Sequence, residues 1–156
     1  GRAGGCSAIG RSRPADRRPA RPPARSGGMI TVPTRWRTAL EDQMADARRR
    51  LEAAGRQLND GDGGRALQAA YPAVVAAATV RVWLADPPWH SGLAPQEMQR
   101  RVRDAFPGRF AALAVLDLRD VLTSPWTAEA VAPYVADARA FVQETAAQLE
   151  SWLGQG

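Results

Sequence analysis

Of 156 residues, one is cysteine, one is histidine and none is lysine. The lone Cys6 excludes an intramolecular disulfide and any metal site built from several cysteines. The lone His90 excludes a two-histidine zinc motif. No phosphate-binding loop, glycine-rich dinucleotide turn or nucleophile elbow is present. No segment alternates polar and apolar residues with β-branched enrichment, so strands are not expected, and no internal repeat is visible. The residues thus call for no cofactor and no metal.

Long apolar runs are equally scarce. Residues 66 to 80 carry no charge, but that is 15 residues before Arg81, and a span needs about 20. Many of those residues are alanine, which is only weakly hydrophobic. The run therefore reads as a helix apolar on most of its circumference and contacted on several sides. No membrane is expected, and the first 28 residues hold no apolar run of the roughly 7–15 residues that a secretory signal requires. A cytoplasmic location is the corresponding expectation.

The net charge is +5, and its placement matters more than its size. Residues 1–28 hold seven Arg against Asp16 alone, a net of +6, while residues 29–156 hold fourteen Arg against fifteen acids, a net of −1. The first 33 residues are rich in Arg, Pro and Gly and cannot bury enough surface to offset chain entropy, so a disordered tail is expected there. The first Met is Met29, and the stretch before it reads as upstream sequence. An Arg-rich nucleic-acid arm or an interdomain linker are the alternatives.

The remaining 34–154 reads as one helical domain. Thr34 is placed to cap a first helix with Trp36, Leu40, Met44, Ala47, Leu51 and Ala54 on its apolar face and Gly55 as its terminator. "NDGDGG" (59 to 64) is a turn from which Asp62 caps the second helix. That helix carries a stripe of Leu67, Tyr71, Val74, Ala78, Val82 and Ala85, and a kink is expected at Pro72. A third helix spans "LAPQEMQRRVRDAF" and a fourth spans "RFAALAVLDLRDVL", with Phe110, Leu113, Ala114 and Leu118 on one side. Thr127 then caps a long last helix with Val131, Val135, Ala138, Val142, Ala146, Leu149 and Leu153 in line. The fold class is all-α, an antiparallel bundle of four or five helices.

Three stretches carry a family likeness: "ADARRRLEAAG" (45 to 55), "ALQAAYPAVVAAATVRVWL" (66 to 84) and "PYVADARAFVQETAAQL" (133 to 149). Together they resemble the first, second and closing helices of the HEPN superfamily of small α-helical domains. The resemblance implies a homodimer and an association with RNA or with a nucleotidyltransferase-like protein. Some relatives in that superfamily are metal-independent ribonucleases, marked by an Arg, often followed by a polar residue, and then a His after a spacer of four to six residues. Arg119-Asp120 resembles the start of that mark, but positions 124, 125 and 126 are Ser, Pro and Trp. Cleavage needs a proton acceptor and donor near neutral pH, which imidazole supplies and these side chains do not. The resemblance thus implies a catalytically silent member rather than an enzyme.

The candidate site residues follow. Arg119 and Asp120 are read as a polar pair lining a cleft, or as a local ion pair at a helix end. Trp83, off the main stripe, marks an exposed or dimer-buried face. Trp89 and Trp126 lie in breaks beside prolines, where they stack on bases, anchor an interface or fold onto the core. His90 is a weak candidate for a base brought across a dimer, the alternative reading being a ribonuclease. A plain helical adaptor without nucleic acid is the third. "RRR" (48 to 50) and "RRVR" (100 to 103) have acids close by and read as solvated faces.

Overall fold

The computed structural model describes residues 32–87 and 92–154. Residues 33–154 form one unit of helices, and no strand occurs among the described residues. Three helices dominate: α1 (Thr34–Asn59), α2 (Gly63–Ala85) and α6 (Ala128–Gly154). Between the last two lie α3 (Pro95–Asp104), a 3-10 turn (Gly108–Phe110), α4 (Ala111–Ala114) and α5 (Leu118–Thr123). The all-α bundle expected from the periodicities is what forms.

α2 packs mainly against α1 and α6, and α1 and α6 meet less extensively. The direction of each helix follows from its partners. Trp36 near the start of α1 meets Trp83 near the end of α2, ring centroids 5.6 Å apart and nearly edge-on. These two helices are therefore antiparallel. Gly63 approaches Thr127 and Ala128, while Arg81 reaches Thr145, so α2 and α6 run parallel. The chain between Asp86 and Thr127, which carries α3, α4 and α5, returns to the end of the bundle where α2 begins.

The expected core is largely the observed one. Leu40, Met44, Ala47, Leu51 and Ala54 are buried on α1. On α2, Leu67, Val74, Ala78 and Val82 are buried, with Ala66, Ala70, Ala73, Ala77 and Val80 widening the contact. Ala85, placed on the stripe by its spacing, is exposed. On α6 every residue of the stripe is buried except Ala146, which is half-buried. Both caps read from the turns form. The Asp62 carboxylate accepts from the Arg65 amide at 3.0 Å, and the Thr127 hydroxyl accepts from the Ala130 amide at 3.1 Å. A cap of this kind contributes about 1 kcal/mol.

Several boundaries differ. Pro33, not Thr34, occupies the N-cap position of α1, and Thr34 is already helical. Gly55 does not end α1, which continues to Asn59. Its missing side chain instead leaves the room that the Arg139 guanidinium of α6 occupies. α2 runs unbroken through Pro72, which is half-buried on its least covered side.

The fourth helix is not one helix. It breaks after Ala114, and Asp117 takes the N-cap position of α5, accepting from the Arg119 amide at 2.7 Å. A short polar side chain that bonds its own downstream amide favours a helix start over a helix interior. The break turns Leu118 away from Phe110 and Leu113. Those two are buried, while Leu118 is half exposed.

Among the described residues one helix, Gly63–Ala85, is long and apolar enough to cross a membrane, with a mean hydropathy of 1.3 over its best window. In the bundle this helix is the one wedged between α1 and α6.

Candidate functional site

Arg119 and Asp120 sit in the first turn of α5, both exposed. They form no ion pair with each other or with any other described residue. Their backbone atoms are well used. The Arg119 carbonyl accepts from the Thr123 hydroxyl at 2.7 Å, and the Asp120 carbonyl accepts from the Trp126 indole N–H at 2.9 Å. Trp126 stands edge-on to Tyr134 of α6, centroids 5.8 Å apart. It is thus a loop aromatic folded onto its own chain, fastening the end of α5. Trp83 is likewise engaged by Trp36, which a reading of either helix alone does not reveal. Trp89 and His90 lie outside the described residues.

α5 is anchored by Val121, which is 1% exposed. The apolar residues flanking that anchor face outward: Val115 is 78%, Leu118 51% and Leu122 58% exposed. Leu118 and Leu122 are one helical turn apart and share a side. Beside them, the uncovered stripe of α2 runs through Pro72, Val75, Ala76 and Thr79, with Val75 37% exposed. Leu118 forms one wall of a shallow groove of about 500 Å³ over this stripe. The opposite wall is α1, which presents Gln43, Asp46 and Arg50. Arg50 donates to the Asp46 carboxylate at 2.8 Å and, with Arg49, holds that carboxyl below its usual range.

A second polar cluster lies inside the bundle, and sequence reasoning missed it. Arg81 enters as the residue that ends a charge-free run; the structure buries it between α2 and α6. Its side chain is only 10% exposed, and its guanidinium stands over the Phe141 ring, 4.2 Å from the centroid. Nε donates to the Thr145 hydroxyl at 2.7 Å, and that hydroxyl donates to the Phe141 carbonyl at 2.8 Å. A second guanidinium nitrogen reaches the same carbonyl at 3.4 Å and the Glu144 carboxylate at 4.0 Å. Glu144 also pairs with Arg109. Burial pushes the pKa of Arg81 down, Glu144 opposes this, and Arg109 adds to it. A charge out of water is tolerated where donors find acceptors and a counter-charge is near; here two of the three nitrogens find acceptors and Glu144 is the counter-charge. Phe106 stacks on Phe141 at 4.7 Å and Phe110 meets it edge-on at 5.3 Å. The segment leading out of α3 is thus tied to α6 at the same place. The signal that marks Arg81 in the sequence is its position as the charge that follows fifteen uncharged residues on α2.

A guanidinium does not accept a proton at ordinary pH, and two of the nitrogens of Arg81 already donate to Thr145 and Phe141. Among the described residues no three His, Cys, Asp or Glu side chains converge as metal ligands would. The arginine clusters are partly neutralised. Arg49 and Arg50 pair with Asp46, and Arg100 and Arg101 with Glu97. Arg101 also lies 3.9 Å from Asp86, tying α3 to the end of α2. Arg48 lines a furrow between α1 and α6 together with Glu52 and Arg139, so neither cluster forms an unbroken cationic ridge.

No family model matches this chain, and no curated protein or solved structure matches it.

Proposed function

We propose that this chain is a non-catalytic, HEPN-like helical interaction module that works as a homodimer in the cytoplasm, with RNA or a nucleotidyltransferase-like protein as the associated partner class. One observation carries the interaction reading: Val115, Leu118 and Leu122 are exposed on one short helix and its lead-in, beside the uncovered stripe of α2. Isolated exposed apolar residues are ordinary, but a cluster beside a groove marks a surface meant to be covered. The silent reading follows from Arg119, whose surroundings on α5 and in the 124–126 segment offer carboxylate, hydroxyl and indole groups and no imidazole.

The test is metal-free incubation of the full chain with single-stranded and hairpin RNA, together with light scattering. The expected result is intact RNA and a mass of two chains. RNA cleavage abolished by Arg119→Ala overturns the silent reading and favours the ribonuclease. A single-chain mass across the accessible concentration range overturns the homodimer.

A further inference from the structure

We infer that the furrow between α1 and α6, in the half nearer the C-terminal end of α1, is a docking groove for an acidic segment of a partner protein. It uses none of the α5 residues and stands apart from the homodimer and silent readings above.

α1 and α6 run antiparallel and meet less extensively than either meets α2. Their seam stays open as two joined hollows of about 300 and 380 Å³. Leu51 and Val142 floor the first, and Gly55 and Leu58 floor the second. Leu51 and Val142 are buried and Leu58 is half-buried, so the floor is apolar beneath charged walls.

The charges on those walls are unequal. Arg48, Arg56 and Arg139 stand around a single acid, Glu52. Elsewhere most arginines are already matched: Arg49 and Arg50 with Asp46, Arg100 and Arg101 with Glu97, Arg81 and Arg109 with Glu144. The three furrow arginines are exposed and pair with no carboxylate among the described residues. Toward the other end of the seam, Arg37 and Arg48 are equalled by Glu41 and Glu150, which confines the cationic excess to this half. Gly55 fixes the place of the third arginine. Arg139 crosses from α6 and lays its guanidinium where a side chain at position 55 would stand.

These features select the occupant. Three unmatched guanidinium groups call for anions, and the planar fork of arginine takes carboxylates bidentately. Nucleic acid is the other polyanion, and the furrow suits it less. No aromatic ring lines it among the described residues to stack a base, and Glu52 stands in the path of a phosphate backbone. A peptide meets both conditions, resting apolar side chains on Leu51, Leu58 and Val142 while its carboxylates reach the arginines. Arg48 and Arg56 are about 12 Å apart along α1, and glutamates on three successive turns of a helix span the same ~12 Å. The middle one then faces Arg139.

The test is fluorescence anisotropy of a labelled helical peptide, with Glu on three successive turns and leucines beside them, added to the full 156-residue chain. The same peptide with Gln for Glu is the control and should not bind. Arg139→Gln should weaken binding about 10-fold, the scale of one charge-assisted hydrogen bond. Glu52→Gln removes the opposing acid and should tighten binding about 3-fold. Gly55→Ala should weaken binding by displacing the Arg139 guanidinium, while the thermal melt holds or rises, since alanine favours a helix over glycine. The arginines of residues 1–28 are the same in every variant, so these differences report the furrow. A peptide that fails to bind, an affinity unchanged in Arg139→Gln, or one not raised in Glu52→Gln overturns the groove. Single-stranded RNA of equal charge that binds more tightly than the peptide and is weakened by Arg139→Gln overturns the acidic peptide in favour of nucleic acid.

Discussion

The Arg81 guanidinium stands 4.2 Å from the centre of the Phe141 ring and also bonds the carbonyl of that residue. One residue of α6 therefore meets the charge through both its ring and its backbone. Thr145, one turn further on, completes the seat by accepting from Nε. The parallel course of α2 and α6 makes this possible, since it sets position 81 beside position 145.

Thr145→Val removes the hydroxyl and keeps the shape. It leaves Arg81 Nε without an acceptor in a nearly dry place, and the expected loss is ~1–3 kcal/mol of folding stability. Thr145→Ser, which keeps the acceptor, should recover most of it. Urea denaturation followed by circular dichroism checks both. A loss in Thr145→Ser with none in Thr145→Val would show that the methyl group matters and the hydrogen bond does not.

Phe141→Leu retains most of the buried apolar volume but removes three ring interactions: Phe106, Phe110 and Arg81. Aromatic pairs are worth ~0.5–1.5 kcal/mol beyond their area, and a cation over a ring adds ~0.5–2 kcal/mol. A combined loss of ~2–4 kcal/mol is expected. Hydrogen exchange should quicken first in the 106–114 segment, which those rings tie to α6.

Gly63→Ala should destabilise the fold by ~1–3 kcal/mol or more, the cost of forcing atoms into a packed site. A Cβ there meets the backbone of Thr127 and Ala128 rather than a flexible side chain. Gly108→Ala, where a Cβ meets nothing within 4 Å, is the control and should stay near wild type in a thermal melt.

Glu97 is held at a pKa of about 2, below its ordinary 4.5, first by the hydrogen bond from Arg100 and then by that from Arg101. A carboxyl whose folded pKa is depressed lends stability above its unfolded pKa and loses it as pH falls toward the folded one. The window is therefore from about 4.5 down to about 2. Glu97→Gln should flatten that part of the stability profile. The effect will be small and salt-sensitive, since both arginines are largely exposed. Carbon-detected titration of the Glu97 carboxyl reads the same pKa directly.

The three long helices were legible because each repeats its apolar face for about five turns or more, and a signal that long survives local exceptions such as Pro72 and Pro133. Asp62 and Thr127 were legible as caps because a turn signal precedes one and a proline–tryptophan break the other. The region from 109 to 122 was not. Its apolar residues fit a helical period, but Asp117 had two possible roles, and only packing decided that it starts a helix rather than continuing one. Gly55 has the same ambiguity, resolved by Arg139 on another helix. Arg81 with Thr145, and Trp36 with Trp83, are pairings 64 and 47 positions apart in the chain, and no local pattern encodes them. For the candidate site, the sequence singled out Arg119 and Asp120. It did not foresee the exposed leucines beside them, because it assigned Leu118 to the core.

Val121 holds α5 to the bundle as its one fully buried side chain. Residues 118, 119, 120 and 122 around it are free to vary without touching the interior. A lineage could rewrite whom this module recognises by a few codon changes on a single peg, while the scaffold beneath keeps its melting temperature.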